Sequence, residues 1–562
     1  MKKLLSLLVL LTMSASLWAT EVTIDGIKYN VIKTGKIAKV LSNSYKGDIV
    51  IPETVTYDGV VCNVTEIADN AFASCNQLKS VIIPNSITTM GVKVFYYSSV
   101  ESVSLGNGIS QINVSMFCGC SNLTSIIIPE SVTVINNSAF KSCTSLASIT
   151  FPDNVEIIGD YTFQSCISLT KVIIGDGVTS IGKGAFASCT NLSSVFIGPK
   201  VTTIGDEAFA NTALTSVKIP NNVKTLGVRI FQYCKNMLSA QIGTGLSEIP
   251  NYAFESCSQL MSLTIREGIT RIGKYAFQGC KDLIVVVIPG SVFTIDSYAF
   301  KNCTKLYNLG FNEGLKSIGA SAFLDCTELD FVKFPNSLTT IGENAFKGCS
   351  KLATIMIGSG MTNIGSYAFS NLEELYDVYC EAINPPSLDG SNPFYNSYMQ
   401  YATLHVPASS VATYQNTSPW KYFKEVIALD GQPQPEPPVL EKCAKPTITY
   451  DDGMLYFSCE TAGVQFVYNI KNGGSNTGVS DHAQLVSNYY VSVYATKSGY
   501  EDSDTATKTF VPVKAIKGDV NEDGKVTITD AVSVVNIILN SGSSAPKMEA
   551  PDTEPVEVTE PE

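Results

Sequence analysis

The sequence predicts a mainly β protein, a solenoid of short leucine-rich turns closed by end caps and followed by smaller modules. Three observations carry this. Fourteen phenylalanines, from Phe72 through Phe277 and Phe300 to Phe369, are separated by 23 residues in 11 of their 13 intervals and by 22 in the other two. After each Phe comes an apolar/polar alternation, as in Leu283, Val286, Ile288 or Leu306, Leu309, Phe311. Before it stands an Ile-Gly step and an Ala-Phe pair, as in Ile272-Gly273 ahead of Ala276-Phe277. A fixed period in the twenties is the mark of stacked turns, none of which can bury its own apolar face.

Within one turn the alternation predicts a short strand with one side buried. Pro289 or Gly358 then ends the strand. Ala lets adjacent backbones approach, and Phe fills the interior. Eleven of the 16 cysteines, Cys75 and Cys120 through Cys349, lie three residues after a Phe. One Cys per turn lacks the close pairs that a zinc site needs. They are therefore read as small buried groups under the turn, with Ser98, Thr212 and Leu372 replacing them elsewhere.

Residues 1–19, MKKLLSLLVLLTMSASLWA, read as a secretory signal peptide: two lysines, an apolar run and a small residue at Ala19. Residues 20–70 form an N-terminal cap with a first irregular repeat, and 71–380 the regular array. In 381–430 the period breaks into Pro- and aromatic-rich stretches. These are expected to cap the last turn, with Trp420 as a packing anchor. GQPQPEPPVLEK, 431–442, is an extended linker. Residues 443–513 alternate as strands joined by Gly, Asn and Asp turns, which predicts a small β-sandwich. Its Cys443 and Cys459 stand either as a pair or as two free thiols. No stretch after the signal reaches the 18 apolar residues of a membrane span.

Residues 514–540 hold the most specific local motif. Asp519, Asn521 and Asp523 occupy loop positions 1, 3 and 5, Gly524 position 6 and Asp530 position 12. Hard oxygen donors at alternate positions, with a Gly at the sharp bend, wrap Ca²⁺; Lys525 would add its carbonyl and Thr527 a direct or water-mediated contact. An apolar helix, 531–539, is expected next, then an acidic, Pro-rich disordered tail over 541–562.

The net charge of -13 and the pI near 4.9 argue against nucleic acid as a partner. Only two histidines occur, His405 and His482, neither in a nucleophile or metal pattern, so no catalytic residue is assigned and the chain is read as a non-enzyme. Binding is better supported. Side chains eight and ten residues after each Phe should point outward from the strands. That row should be polar, yet Ile82, Ile127, Ile173, Phe196, Val287, Met356 and Tyr379 recur at position ten, with Val285 and Phe331 at position eight. Contiguous exposed apolar surface marks an interaction site; the alternative is that β-branched residues merely suit a strand and are shielded by their neighbours. Phe196, Val285, Val287, Phe331 and Tyr379 are the candidate partner contacts.

Two resemblances rest on these residues. The turn with Ile-Pro, Ile-Gly, Ala-Phe and Cys resembles the BspA-type leucine-rich repeat of bacterial surface proteins, over about 45–430. The resemblance implies a secreted or cell-surface solenoid, some relatives being adhesins for host matrix proteins such as fibronectin and fibrinogen. The loop with Asp530 at position 12 and an apolar helix behind it is EF-hand-like and resembles half of a dockerin. That implies Ca²⁺, a cohesin-like protein as partner through Ile528 and Thr529, and a polysaccharide-handling assembly, to which a glycan-binding β-module would belong.

Overall fold

A computed structural model describes residues 19–429, 443–451, 454–461, 465–473, 488–496, 503–504 and 506–510. The chain divides into two compact units, Met1–Val439 and Leu440–Glu562. The signal peptide apart from Ala19, the linker, the calcium loop with its helix, and the tail lie outside the described residues.

Turns of the first unit contribute to three kinds of backbone ladder, although the turn of Ile127 holds no strand after its Phe and the strands after the Phe divide among several sheets. The strands after the Phe pair in parallel and in register, as Ser148–Thr150 on Lys171–Ile173 on Ser194–Phe196, with Ile149 and Val172 turned inward and buried. Two-residue strands before the Phe form a second parallel sheet, the longest of seven strands from Glu248–Ile249 to Ser387–Asp389. The buried member of each such pair is an aliphatic side chain, Ile272, Ile295 or Ile318.

The third ladder is a train of turns around the Phe. Amides alternate in their partners. Ser138, Phe140 and Ser142 each donate 2.8 Å across to the next turn, at Asp160, Thr162 and Gln164. Ala139, Lys141 and Cys143 fold back three residues onto their own turn. This requires a left-handed residue on either side of the Phe. In all 14 turns the residues two before and two after it have positive φ, as Ser138 (56°) with Ser142 (60°) and Tyr275 (58°) with Gly279 (73°). Side chains other than Gly resist that region, so the paired amides on both sides must hold them there.

Inside, the rings stack. Successive Phe centroids from Phe72 to Phe369 stand 4.9–5.8 Å apart and nearly parallel. Tyr45 precedes the column at 4.7 Å, and Phe394 extends it at 5.4 Å. The edges of Phe423 and the fully buried Trp420 close it, which is the anchoring position the sequence indicates for Trp420.

The parallel sheet does not stop at Cys380. Asp377–Cys380 is followed in register by Thr403–Val406 and Glu425–Ala428, so the region where the period breaks still adds two strands. Between them the helix Val411–Asn416 buries Tyr414, whose hydroxyl donates to the Ala382 carbonyl at 2.8 Å. At the other end Lys46–Val50 already pairs with Gln77–Ile82, and the antiparallel strands Thr20–Ile24, Ile27–Ile32 and Ile37–Val40 cover the opening edge. The second unit contains a two-stranded antiparallel sheet (Thr447–Asp451, Met454–Ser458) and a three-stranded one (Gln465–Gly473, Asn488–Thr496, Ala506–Phe510).

The eleven ladder cysteines are free thiols. In ten of the eleven ladder positions the thiol donates at 2.9–3.3 Å to the Phe carbonyl of the preceding turn, as Cys143 does to Phe117. Cys75 bonds Asn43, because no Phe precedes its turn. Ser397 takes over the role under Phe394, its hydroxyl donating to Phe369 at 2.6 Å. The cysteines are thus more than apolar filler, since each satisfies a carbonyl inside the core. Cys459 is a free thiol that donates to the Ala444 carbonyl.

Burial pushes the ladder thiols up, Cys120 and Cys189 to about 12 and Cys234 to about 11. Above the ordinary thiol range the unfolded chain releases protons that the native chain keeps. Stability is therefore complete below about pH 9 and drains as pH rises toward the folded values, by about 1.4 kcal/mol per pH unit for each such thiol. Urea midpoints should accordingly fall steeply above about pH 9. A thiol reagent at pH 8 should leave the ladder untouched until the chain unfolds, and rapid labelling of the native protein would refute this account. Phe277→Ala should cost about 3–5 kcal/mol, because rings at 5.4 and 5.1 Å on either side cannot close the gap. Hydrogen exchange should show the loss centred on the turns around residue 277.

Candidate interaction face

The outward side of the strand sheet is the surface the sequence singles out, and the ladder fixes what stands beside what. Toward the C-terminal end, position ten runs in register through Lys333, Met356, Tyr379, His405 and Ile427, and position eight through Phe331, Thr354, Asp377, Thr403 and Glu425. Tyr379 and His405 lie face to face at 4.2 Å, and His405 Nε2 is 2.8 Å from Asp377 Oδ1. That contact locks the histidine ring beside the tyrosine.

The row is interrupted at Gly310. It stands between Val287, its register partner, and Lys333 one turn further on, and a Cβ there would meet only Val287 methyls at 3.7–3.8 Å. The missing side chain leaves a hollow of about 340 Å³, lined by Gly310, Glu313, Lys333, Met356, Tyr379 and Glu381 among others. Glu313 is committed to the backbone: it accepts the amides of Asn336 and Ser337 at 2.9 Å each. Those bonds outweigh its partial burial and hold its carboxyl below the usual range. Lys333 and Glu381 are the charged groups left to meet a visitor.

The candidate contacts are not presented equally. Val287 is 47% exposed. Phe196, Val285 and Tyr379 are half-buried, and Phe331 is only 9% exposed, so it supports the face more than it displays it. Met356, in the same outward row, is likewise buried. Bulky residues stacked one turn apart shield each other, and an outward position alone does not make a contact. The hollow was not evident in the row of residues, although a lone Gly at position ten is its signal. The exposed aliphatics concentrate instead in the N-terminal half, at Val50, Ile82, Ile127 and Ile173.

Asp519, Asn521, Asp523, Lys525, Thr527 and Asp530 lie outside the described residues. Among the described residues no cluster of His, Cys, Asp and Glu has the makings of a metal site, and no helix is long and apolar enough to cross a membrane.

Comparison with known proteins agrees with this architecture. The model of the BspA type leucine rich repeat region matches residues 49–170, 110–238, 156–284 and 276–400, well over half of the chain. The dockerin type I domain matches residues 517–552, past the expected helix and into the stretch read as a tail. No curated protein matches the chain. Among solved structures, a leucine-rich repeat protein from Bacteroides ovatus is 25% identical over 64% of this chain and 94% of its own, with a TM-score of 0.52. A leucine rich cell surface protein from Faecalibacterium prausnitzii is 26% identical over 66% and 96%, with a TM-score of 0.39. Both families occur in extracellular or surface proteins, and repeats of this kind are typically non-catalytic. Dockerin type I domains usually bind calcium and imply a cohesin-type partner. With its period, stacked core and parallel ladders matched in this way, the chain belongs to the BspA-type leucine-rich repeat family.

Proposed function

We propose that this is a secreted or cell-surface binding protein, adhesin-like, that uses the outward sheet of its solenoid to hold host matrix proteins or other macromolecules and performs no chemistry. One observation carries the reading: the outward strand row holds exposed Val287 beside the hollow at Gly310, with Lys333 and Glu381 at its rim. A hollow of that size takes a protruding side chain, and its two opposite charges can orient it. Phe196 and Val285 belong to the same outward rows, the nearly buried Phe331 supports them, and Tyr379 forms one wall of the hollow.

A second reading is favoured by the dockerin match. There the chain is a non-catalytic component of a polysaccharide-handling assembly, attached through a cohesin-like protein, with Ca²⁺ held by Asp519, Asn521, Asp523, Lys525, Thr527 and Asp530. The domain order proposed is signal peptide, capped solenoid, Pro-rich linker, β-sandwich module and calcium module.

The two readings separate cleanly. Surface plasmon resonance on immobilised fibronectin and fibrinogen should show binding that survives chelator and falls at least about tenfold in Gly310→Trp, which fills the hollow. No binding to matrix protein, together with Ca²⁺-dependent capture of a cohesin module, would move the function to the C-terminal end. Calorimetry should detect one Ca²⁺ per chain, lost in Asp519→Ala/Asp523→Ala; an isotherm unchanged by these substitutions would remove Asp519 and Asp523 as its ligands.

A further inference from the structure

The N-terminal half of the same outward side presents a different surface. Position ten runs in register through Val50, Ile82 and Ser104 and again through Thr150 and Ile173, with Ile127, on a turn that holds no strand of its own, between them along the chain. Val50 is 62% exposed, Ile82 48%, Ile127 87% and Ile173 51%, whereas Ser104 and Thr150, between them, are small and also open to solvent. Large apolar and small hydroxyl side chains therefore alternate through the middle of the row. The parallel row at position eight begins with Asp48, continues through four serines, Ser80 to Ser148, and ends with Lys171. No other charge stands in either row of these six turns.

We propose that this face pairs with the same face of a second copy of the chain, about a two-fold axis that runs parallel to the strands and passes between the turns of Ser104 and Ile127. Such an axis reverses the order of the six turns and returns each row to itself. Ile127 then sits over Ser104 of the second copy, Ile82 over its Thr150, and Val50 against its Ile173. In the other row Asp48 meets Lys171 of the second copy, and the symmetry makes that contact twice. A C2 interface must be self-complementary in this way.

The charges select this register among its neighbours. Moving the axis onto the Ile127 turn sets Ile127 against itself and leaves Lys171 facing Ser80. Neither Asp48 nor Lys171 has an ion pair within the chain among the described residues. Asp48 accepts only the Ser80 hydroxyl, at 2.6 Å. Lys171 is exposed at its edge, yet enough protein crowds its amine to depress its pKa, and no carboxylate offsets this. A counter-charge from outside would. Six turns about 4.8 Å apart, five of them with a strand three to six residues long, give roughly 300–400 Å² per copy, half of a standard interface, so the pairing is weak and reversible. On a surface that displays many copies, proximity would compensate for that weakness.

Sedimentation velocity on the full chain up to about 500 µM at low salt tests this. The wild type should shift toward dimer with concentration, and Ile127→Asp should remain monomeric. Asp48→Lys and Lys171→Asp should each lose association at least about tenfold, since each places like charges together twice. An equimolar mixture of those two variants restores both opposite-charge contacts and should regain association, as should the double variant. A chain that stays monomeric throughout overturns the proposal. So does a dimer indifferent to these substitutions, or a mixture no better than its components, either of which would assign the exposed row to some other occupant. Because the exchanged side chains are exposed, circular dichroism should show all variants folded, and the mixture remains decisive even if Ile127→Asp is not.

Discussion

The structure depends on one distance. Parallel backbone ladders place successive turns about 4.8 Å apart, and aromatic rings stack face to face at nearly the same spacing, 4.9–5.8 Å here. A chain that repeats every residue type once per turn can therefore satisfy peptide hydrogen bonds and fill its interior with one period. The thiols lock the two together. Each Cys sulfur reaches back to the carbonyl of the Phe one turn earlier, so the side-chain column and the backbone ladder cannot slip against each other. A buried carbonyl has a second lone pair to satisfy, and the Cys amide of the same turn takes only the first.

The two short turns show how tightly this is held. The intervals after Phe95 and Phe209 are 22 residues instead of 23, and these are the turns where Ser98 and Thr212 replace Cys. Ser98 lies 3.6 Å from the Cys120 sulfur, and Thr212 bonds the carbonyl of its own Phe209 at 2.9 Å. Removing one residue between the Phe and the following strand shortens the path, and a compact hydroxyl stands where the longer thiol would. The ring column passes through both turns, with its largest spacing, 5.8 Å, between Phe209 and Phe231.

The period made most of this legible in advance. Fourteen Phe at near-constant spacing announce a stacked interior, and Trp420 in an aromatic-rich stretch announces its closure. The left-handed positions were not legible, because only four of the 28 are Gly; Ser, Tyr and Asn sit there under duress from neighbouring turns, a tertiary effect with no local sign. The strands Thr403–Val406 and Glu425–Ala428 were hidden for the opposite reason: longer loops around the Val411–Asn416 helix destroy the period while the ladder continues. Exposure along the outward rows was half legible. Alternation says which way a side chain points, but not whether its neighbours cover it, as Phe331 and Met356 show.

Stacking at this spacing also explains the chemistry of the surface. A charge repeated from turn to turn would meet its own sign at about 5 Å, so charge can enter only where neighbours alternate. Arg271 stands between Glu248 and Asp296, bonded to both, and Glu255 lies between Gln232 and Gln278. Elsewhere hydroxyls take over, with Thr179 and Thr202 donating to carbonyls one turn back. A low charged fraction of 16% is thus a condition of the architecture as well as a habit of composition. Specificity must then come from the places where the repeat is interrupted. An absent side chain at Gly310, an aromatic pair at Tyr379 and His405, and bulky aliphatics set between Ser104 and Thr150 each break the uniformity of a row. These interruptions give a monotonous surface the relief that recognition requires.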